Sequence, residues 1–424
     1  MTEHLKRVAI ITETYAPEIN GVAHTLLQLV NGLKNCGIEV LIIRPHQQGT
    51  DQDKQHIDEH TITVPGLPLP GYKELSFGLP MRSRISSALT EFAPQAIYVA
   101  TEGPLGLAAC SAARRLNVPV VSGFHTNFHQ YGKHYHLGLL ENLGYRYLRW
   151  FHNRTAATLV PTINQANELT QHLFERVHVM ARGVDSELFS PARRKEELRR
   201  QWGVTDQDLV LIYVGRIAAE KNLQLALKTY QSLRQQDPRI KLVLVGDGPA
   251  REGIQAAHPE VIWAGMQRGI ALAEHYASGD IFLFPSLTDT FGNVVTEALA
   301  SGLALVSFDY AAAQEHTKHE VSAMLSEFGD ENAYIRSALA LLDRPNLLRH
   351  IRQAGRQIAL TISWARIIEE FIQHLTDAQT IDYSKSINSN TTHSKAIHKK
   401  LKNSQPNSNN PTTQKQKKFA QRGI

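Results

Sequence analysis

The chain has 424 residues, too many for one ordinary hydrophobic core, and its 42% hydrophobic and 20% charged residues are those of a globular protein with two domains as the default. The formal net charge of +5 belongs to the end: Tyr383 to Ile424 carries nine Lys or Arg and no acid, leaving 36 basic against 40 acidic residues, so the body offers no nucleic-acid groove. Two cysteines, Cys36 and Cys110, exclude a disulfide framework and a thiolate zinc site, no apolar run approaches the roughly 20 residues of a membrane span, and no secretion signal is present, so a cytoplasmic protein is expected.

Short β-rich runs alternate with helical patterns from the start: Arg7 to Thr12, a helix over Val22 to Asn35, then Glu39 to Ile43. Further strands are expected at Thr61 to Val64, Ala96 to Val99, Pro119 to Ser122, Ala157 to Val160 and Val177 to Met180, with helices over Arg84 to Glu91, Leu105 to Leu116 and Asn164 to Leu173. This rhythm means βαβ units and a parallel sheet, and the first doubly wound domain is placed at 1–181. Gly183, Ser190 and Pro191 mark a connector, after which a charged helix is expected from Arg193 to Gln201. The pattern then restarts with Leu209 to Val214, Leu223 to Gln235, Lys241 to Val245, Val261 to Ala264, Leu272 to Ala277, Ile281 to Phe284, Val294 to Ala300 and Ala304 to Val306. Helices over Glu331 to Leu342, Asn346 to Leu360 and Ile362 to Asp377 close a second α/β domain, 182–379, whose final helix has the option of packing back on the first. Residues 380–424 are Ser, Asn, Thr, Gln and Lys with few apolar residues, a composition expected to stay disordered.

Three loops carry candidate chemistry. In open α/β sheets ligands sit beyond the carboxyl ends of strands, and Gly21, at a helix start after the first strand, would let backbone approach an anion; the plain alternative is a turn glycine. Neither this loop nor Gly246 to Arg251 completes a dinucleotide fingerprint, which counts against an NAD-dependent oxidoreductase. In Gly215 to Asn222, Arg216 and Lys221 suit a diphosphate, with Asn222 placed to open the next helix; solvated surface is the alternative. In Ser286 to Glu297, Asp289 and Glu297 stand eight residues apart, about 12 Å and about 80° out of line if helical, so they cannot chelate one atom but would hold two ends of one long ligand. Asp289 or Thr290 as a plain helix cap is the rival account, and it leaves Glu297 unexplained.

Jointly, Pro17 to Val22, Phe124 to Asn127, Arg182 to Asp185, Gly215-Arg216 with Lys221, Gly246 to Pro249, and Asp289-x7-Glu297 resemble the retaining GT-B glycosyltransferases of family 4, in particular the branch of GDP-mannose-dependent α-mannosyltransferases. The resemblance covers about Arg7 to Leu360. It implies two Rossmann-like domains facing a cleft, and transfer of a hexose, mannose from GDP-mannose, to a lipid or glycan acceptor. A UDP-sugar-dependent glucosyl- or galactosyltransferase is the alternative, and a non-catalytic nucleotide-sugar-binding protein the reading from another class. By the same resemblance Arg216 and Lys221 hold the donor diphosphate, Glu297 the ribose, and Asp289 the sugar hydroxyls, although the family's first acid is usually Glu. Phe291, Gly292 and Asn293 would offer backbone amides, Gly21 would approach the diphosphate from the opposite domain, and His125 would stand beside the transferred sugar. No metal and no cofactor are implied, the nucleotide sugar being co-substrate; His129, His134 and His136 complete no ligand spacing.

The run Leu137 to Arg154 mixes Tyr145, Tyr147, Trp150 and Phe151 with Arg146, Arg149 and Arg154. Such a helix either docks on anionic lipid at the inner membrane face or is a core helix with a charged outer face. The basic tail poses the same choice.

Overall fold

The computed structural model describes residues 4–18, 20–46, 60–69, 72–125 and 138–380. The expectations for the tail beyond 380, for Ile19, and for His129, His134 and His136 lie outside them.

In the first half the strands are β1 (Arg7–Ile11), β2 (Glu39–Pro45), β3 (Thr61–Val64), β4 (Gly66–Leu69), β5 (Tyr72–Gly78), β6 (Ala96–Val99), β7 (Val120–Gly123), β8 (Ala157–Val160) and β9 (Val177–Val179). Seven of them form one parallel sheet in the order β3-β2-β1-β6-β7-β8-β9, while β4 and β5 make a separate antiparallel hairpin. Val, Ile and Leu fill β1 and β2 because helices cover both faces of a parallel sheet. The chain winds outward from β1 to β3, then returns to place β6 on the other side of β1. That reversal opens a crevice at the carboxyl ends of β1 and β6.

The second half repeats the device with β10 (Val210–Val214), β11 (Lys241–Val245), β12 (Ile262–Gly265), β13 (Ile281–Phe284), β14 (Ala304–Phe308) and β15 (Met324–Ser326). The order β12-β11-β10-β13-β14-β15 puts the reversal between β10 and β13. Alternate residues of β10 feed two separate cores: Val210, Ile212 and Val214 point to one face, Leu211 and Tyr213 to the other.

The expected helix from Arg193 does not form as one piece: Pro191–Arg193 is a single 3-10 turn and the helix runs Glu196–Gln201. The hairpin, β15 and the helices Arg251–Ala257 and Ala311–His316 are additions to the expected elements.

The chain crosses between the halves twice. Val184 N–H donates to Ile362 O at 2.9 Å where the two crossings run side by side. The last helix, Trp364–Ala378, then packs on the first half: Phe371 meets Tyr98 of β6 edge-to-face at 4.9 Å, and Ile368 fills the space left at Gly32, where a Cβ would collide with it. The described residues form one compact unit.

Candidate active site

Both reversals carry the loops singled out above. After β1, Asn20 accepts the Ala23 N–H at 2.8 Å and so starts the helix Gly21–Asn35. Gly21 is its first residue. A Cβ there would lie 3.8 Å from Asn293 Nδ2 of the other half, an ordinary contact, so Gly21 faces Asn293 directly across the cleft.

After β10, two loops lie backbone on backbone. Gly246 has φ of 136°, and a Cβ on it would strike the Gly215 carbonyl oxygen; one on Gly248 would crowd Ile217 O. Only glycine allows this stacking, which fixes where Arg216 leaves the chain. The Arg216 guanidinium is half exposed, 3.6 Å from Glu220 Oε1. Lys221 is mostly sheltered, and its Nζ lies 2.8 Å from Asp289 Oδ1. Asn222 opens the helix Leu223–Gln236 through a left-handed backbone (φ 54°), not through its side chain, which donates to Pro285 O at 3.3 Å.

After β13, Tyr310 Oη donates to Asp289 O at 2.7 Å and Thr288 Oγ1 to Glu220 O at 3.2 Å, fastening this loop to its neighbours. Asp289 Oδ2 is buried with no hydrogen-bond partner, although a buried carboxylate oxygen normally has one. Neither Asp289 nor Thr290 caps the helix that follows. The cap is Gly292, with φ of 88° and no side chain to offer; the Val295 N–H bonds the Gly292 carbonyl at 2.9 Å, and no side chain covers the positive dipole end of Asn293–Ala300. Phe291 turns its ring into the core against His316, and its backbone oxygen accepts the Ala312 N–H at 2.9 Å. Glu297 Oε2 accepts the Tyr276 hydroxyl at 2.9 Å. Burial lifts the Glu297 carboxyl to about 7, and the Tyr276 hydrogen bond only partly opposes this.

His125 follows β7. Its Nδ1 lies 2.7 Å from Arg182 Nη2, and a guanidinium has no acceptor, so Nδ1 accepts and the ring hydrogen sits on Nε2, 3.1 Å from Tyr98 Oη. Burial, then the charges of Arg182 and His152, hold the imidazole well below its usual range. It is a neutral ring with both nitrogens engaged. Its backbone oxygen accepts from Thr290 Oγ1 at 3.4 Å, a second link across the cleft.

Arg216, Lys221, Asp289, Phe291, Gly292, Asn293 and Glu297 thus gather at one reversal, with Gly21 and His125 facing them from the other half. Tyr98, Tyr276 and Tyr310 orient three of these groups and were not read from the sequence, because a tyrosine inside a strand or helix looks like any core aromatic. Among the described residues no three His, Cys, Asp or Glu side chains gather in a metal-holding cluster.

Two facing Rossmann-like halves, with a cation pair and an uncapped helix start at one strand reversal, define the GT-B class of glycosyltransferase. Two family models match, Glycosyltransferase Family 4 over residues 19–188 and Glycosyl transferases group 1 over 194–358, and the chain belongs to this family. It is 32% identical over 371 residues to a GDP-mannose-dependent α-mannosyltransferase of Mycolicibacterium smegmatis, covering 87% of this chain and 96% of that one. To the α-monoglucosyldiacylglycerol synthase of Streptococcus pneumoniae it is 28% identical over 315 residues, 71% of this chain and 70% of that one. Its fold matches HepE of Anabaena, solved with UDP, with a TM-score of 0.71 and 18% identity, over 88% of this chain and all of that one.

Proposed function

We propose that the chain transfers mannose from GDP-mannose to a lipid or glycan acceptor, with retention of configuration and without a metal ion. The observation that carries this reading is the arrangement at the second reversal, where Arg216, Lys221 and the uncapped start of Asn293–Ala300 converge opposite Gly21. A leaving diphosphate gains charge as the glycosidic bond breaks, and fixed cations and amides stabilise that charge without reorganising. Asp289 offers its unpartnered oxygen to donor hydroxyls, and Glu297 accepts from the ribose. His125, neutral and doubly engaged, shapes the sugar pocket rather than moving a proton. Closure of the halves excludes water that would hydrolyse the donor.

Mannose is favoured by the 32% identity to the mannosyltransferase. A glucosyl donor is the second reading, favoured by the 28% identity to the diacylglycerol glucosyltransferase. The test is to incubate the protein with GDP-mannose, UDP-glucose and UDP-galactose, with and without EDTA, and to follow nucleotide release. GDP release that survives EDTA is expected. UDP release alone moves the reading to the glucosyl donor, complete loss with EDTA restored by magnesium overturns the cation-pair account, and no release with any lipid or glycan acceptor leaves a nucleotide-sugar-binding protein.

A further inference from the structure

At the opposite edge of the second sheet from the candidate active site, arginines gather around one acid. Asp280 stands at the amino end of β13, beside Val210 at that of β10, whereas the loops carrying Arg216 and Asp289 leave the carboxyl ends of the same strands. Its Oδ1 accepts from Arg194 and Arg352, both at 3.3 Å, and its Oδ2 from Arg199 at 3.1 Å and the Val210 N–H at 2.9 Å. The carboxylate is fully occupied. Among the described residues only Arg194 has a second acid, Glu196 at 3.1 Å, and the enclosed Arg199 has an Nε without a partner. Burial lowers the pKa of Arg352; Asp280 opposes that fall, and the cations Arg194 and Arg199 deepen it. One carboxylate thus meets three guanidiniums in a largely covered place, an imbalance that a bound anion relieves.

Arg352 also lines a cavity of about 510 Å³, together with Arg349 and Arg356 of the same helix, Pro345–Thr361. Their spacing of i, i+3 and i+7 sets all three on one helix face. Among the described residues neither Arg349 nor Arg356 is in an ion pair: Arg349 donates to Asn346 Oδ1 at 3.3 Å, and Arg356 to the backbone oxygens of Ser186, Phe189 and Ala300. No described acid lines the cavity. Gln353 and Gln357 add neutral amides, and Pro191 and Leu348 supply an apolar wall. A merely solvated helix face would mix its charges and stand out from the surface. This one is cationic and concave, with a volume inside the range of about 300 to 1,000 Å³ that small-molecule sites occupy. Arginine forks match phosphate oxygens bidentately, and a terminal phosphate has three such oxygens to offer where a carboxylate has two.

We propose that this cavity binds a small molecule by its phosphate groups, held on Arg349, Arg352 and Arg356, at a site separate from the one that takes the nucleotide sugar. The inference lies outside the transferase reading. Binding here is measured without any sugar donor, so either can fail alone.

The probe is inorganic pyrophosphate, titrated by calorimetry into the full chain near neutral pH at about 0.1 M salt, where exposed charges are already screened beyond about 10 Å. Pyrophosphate has two rival destinations, the pair Arg216 and Lys221 and the basic tail. The titrations are therefore made in the Arg216→Ala, Lys221→Ala background, which removes the cation pair of the cleft and keeps the tail. This background should still bind pyrophosphate and gain melting temperature from it. Adding Arg349→Gln with Arg352→Gln should weaken binding at least about tenfold, the scale of lost charge-assisted hydrogen bonds, and abolish the gain in melting temperature. Asp280 keeps Arg194 and Arg199 in that variant. Should it nevertheless fail to fold, Arg349→Glu reverses one exposed charge and should weaken binding by at least the same factor. A background that does not bind overturns the proposal. Binding that survives the added changes belongs to the tail, and overturns it equally.

Discussion

Lys221 Nζ lies 2.8 Å from one oxygen of Asp289, and the other oxygen of that carboxylate is buried without a partner. The two residues are 68 positions apart and meet because β10 and β13 are neighbours in the sheet. The pair changes how a substitution at Lys221 is read. Removing the lysine takes a cation from the donor diphosphate and also leaves a sheltered carboxylate unpaired. Lys221→Ala is expected to lower kcat by about 10²-fold or more. Asp289→Asn should cost less, and the double variant should be milder than the product of the two, because it leaves no unpaired charge. Single-turnover transfer rates for the four proteins of this cycle check the claim; strictly multiplicative effects would show that the ion pair does not operate in the working enzyme.

Glu297 gives a prediction with a pH sign. Its carboxyl is raised to about 7, so it is largely protonated at pH 6 and largely ionised at pH 8. A ribose hydroxyl donates better to the ionised form, so nucleotide affinity should rise from pH 6 to pH 8 in the parent and stay nearly flat in Glu297→Gln. At pH 8 the loss in Glu297→Ala should approach the about 1.5 to 3 kcal/mol of a charge-assisted hydrogen bond, with Gln milder. Calorimetric titration with GDP and UDP at the two pH values decides it. A parent with pH-independent affinity would remove Glu297 from the ribose.

The sheet strands were legible because buried parallel strands are nearly pure Val, Ile and Leu, and the βα rhythm gives their direction. The β4–β5 hairpin was not: Gly66, Pro68 and Gly78 lower the strand propensity of two short runs, and β5 lies beside β2 and the helix Pro104–Leu116, a tertiary arrangement. Three-residue β15 and six-residue Ala311–His316 are too short to show a period. At the site, Arg216, Lys221, Asp289 and Glu297 were legible as charged groups at strand-to-helix junctions, but only Glu297, set among apolar neighbours, resisted an account as solvated surface or a plain helix cap. Their pairing was not legible, since it depends on which strands are neighbours. The orienting tyrosines and the Arg182 contact to His125 are likewise tertiary facts.

The His125 ring supplies a spectroscopic prediction. With Nδ1 accepting from Arg182 and Nε2 donating to Tyr98, the ring should remain in the Nε2–H form through the pH range where an ordinary histidine titrates. Nitrogen chemical shifts of the labelled imidazole report the tautomer directly. In Arg182→Lys the flanking charge is retained but the planar fork is lost, so the ring should stay neutral while its tautomer becomes mixed. A ring that protonates near pH 6.5 in the parent would show that the Arg182 contact does not persist in solution.

Glu13 makes the last prediction, one about stability and not catalysis. It lies just beyond β1, 8% exposed, where its carboxylate accepts the Leu105 N–H at 3.3 Å and crowds the glycine at position 103 so closely that a Cβ there would collide with it. Burial raises its pKa to about 7, with Glu102 adding to the rise and the amides of Leu105 and Gly78 opposing it. Because the folded pKa lies above the value of 4.5 for a free carboxyl, the contribution to stability is fully present below pH 4.5 and is lost progressively up to about pH 7. The loss has a ceiling on the order of 3 kcal/mol. Glu13→Gln keeps the shape and the acceptor for Leu105 but never ionises. Its stability relative to the parent should therefore climb between pH 4.5 and 7 and level off above, while distant titrating groups cancel in the difference. Thermal midpoints of parent and variant at pH 5, 6, 7 and 8 measure this, with a widening gap of a few degrees in favour of Gln expected toward pH 8. A gap that is constant with pH, or that shrinks, would mean that Glu13 is ionised through all of this range, held by the helix amides more strongly than burial opposes it.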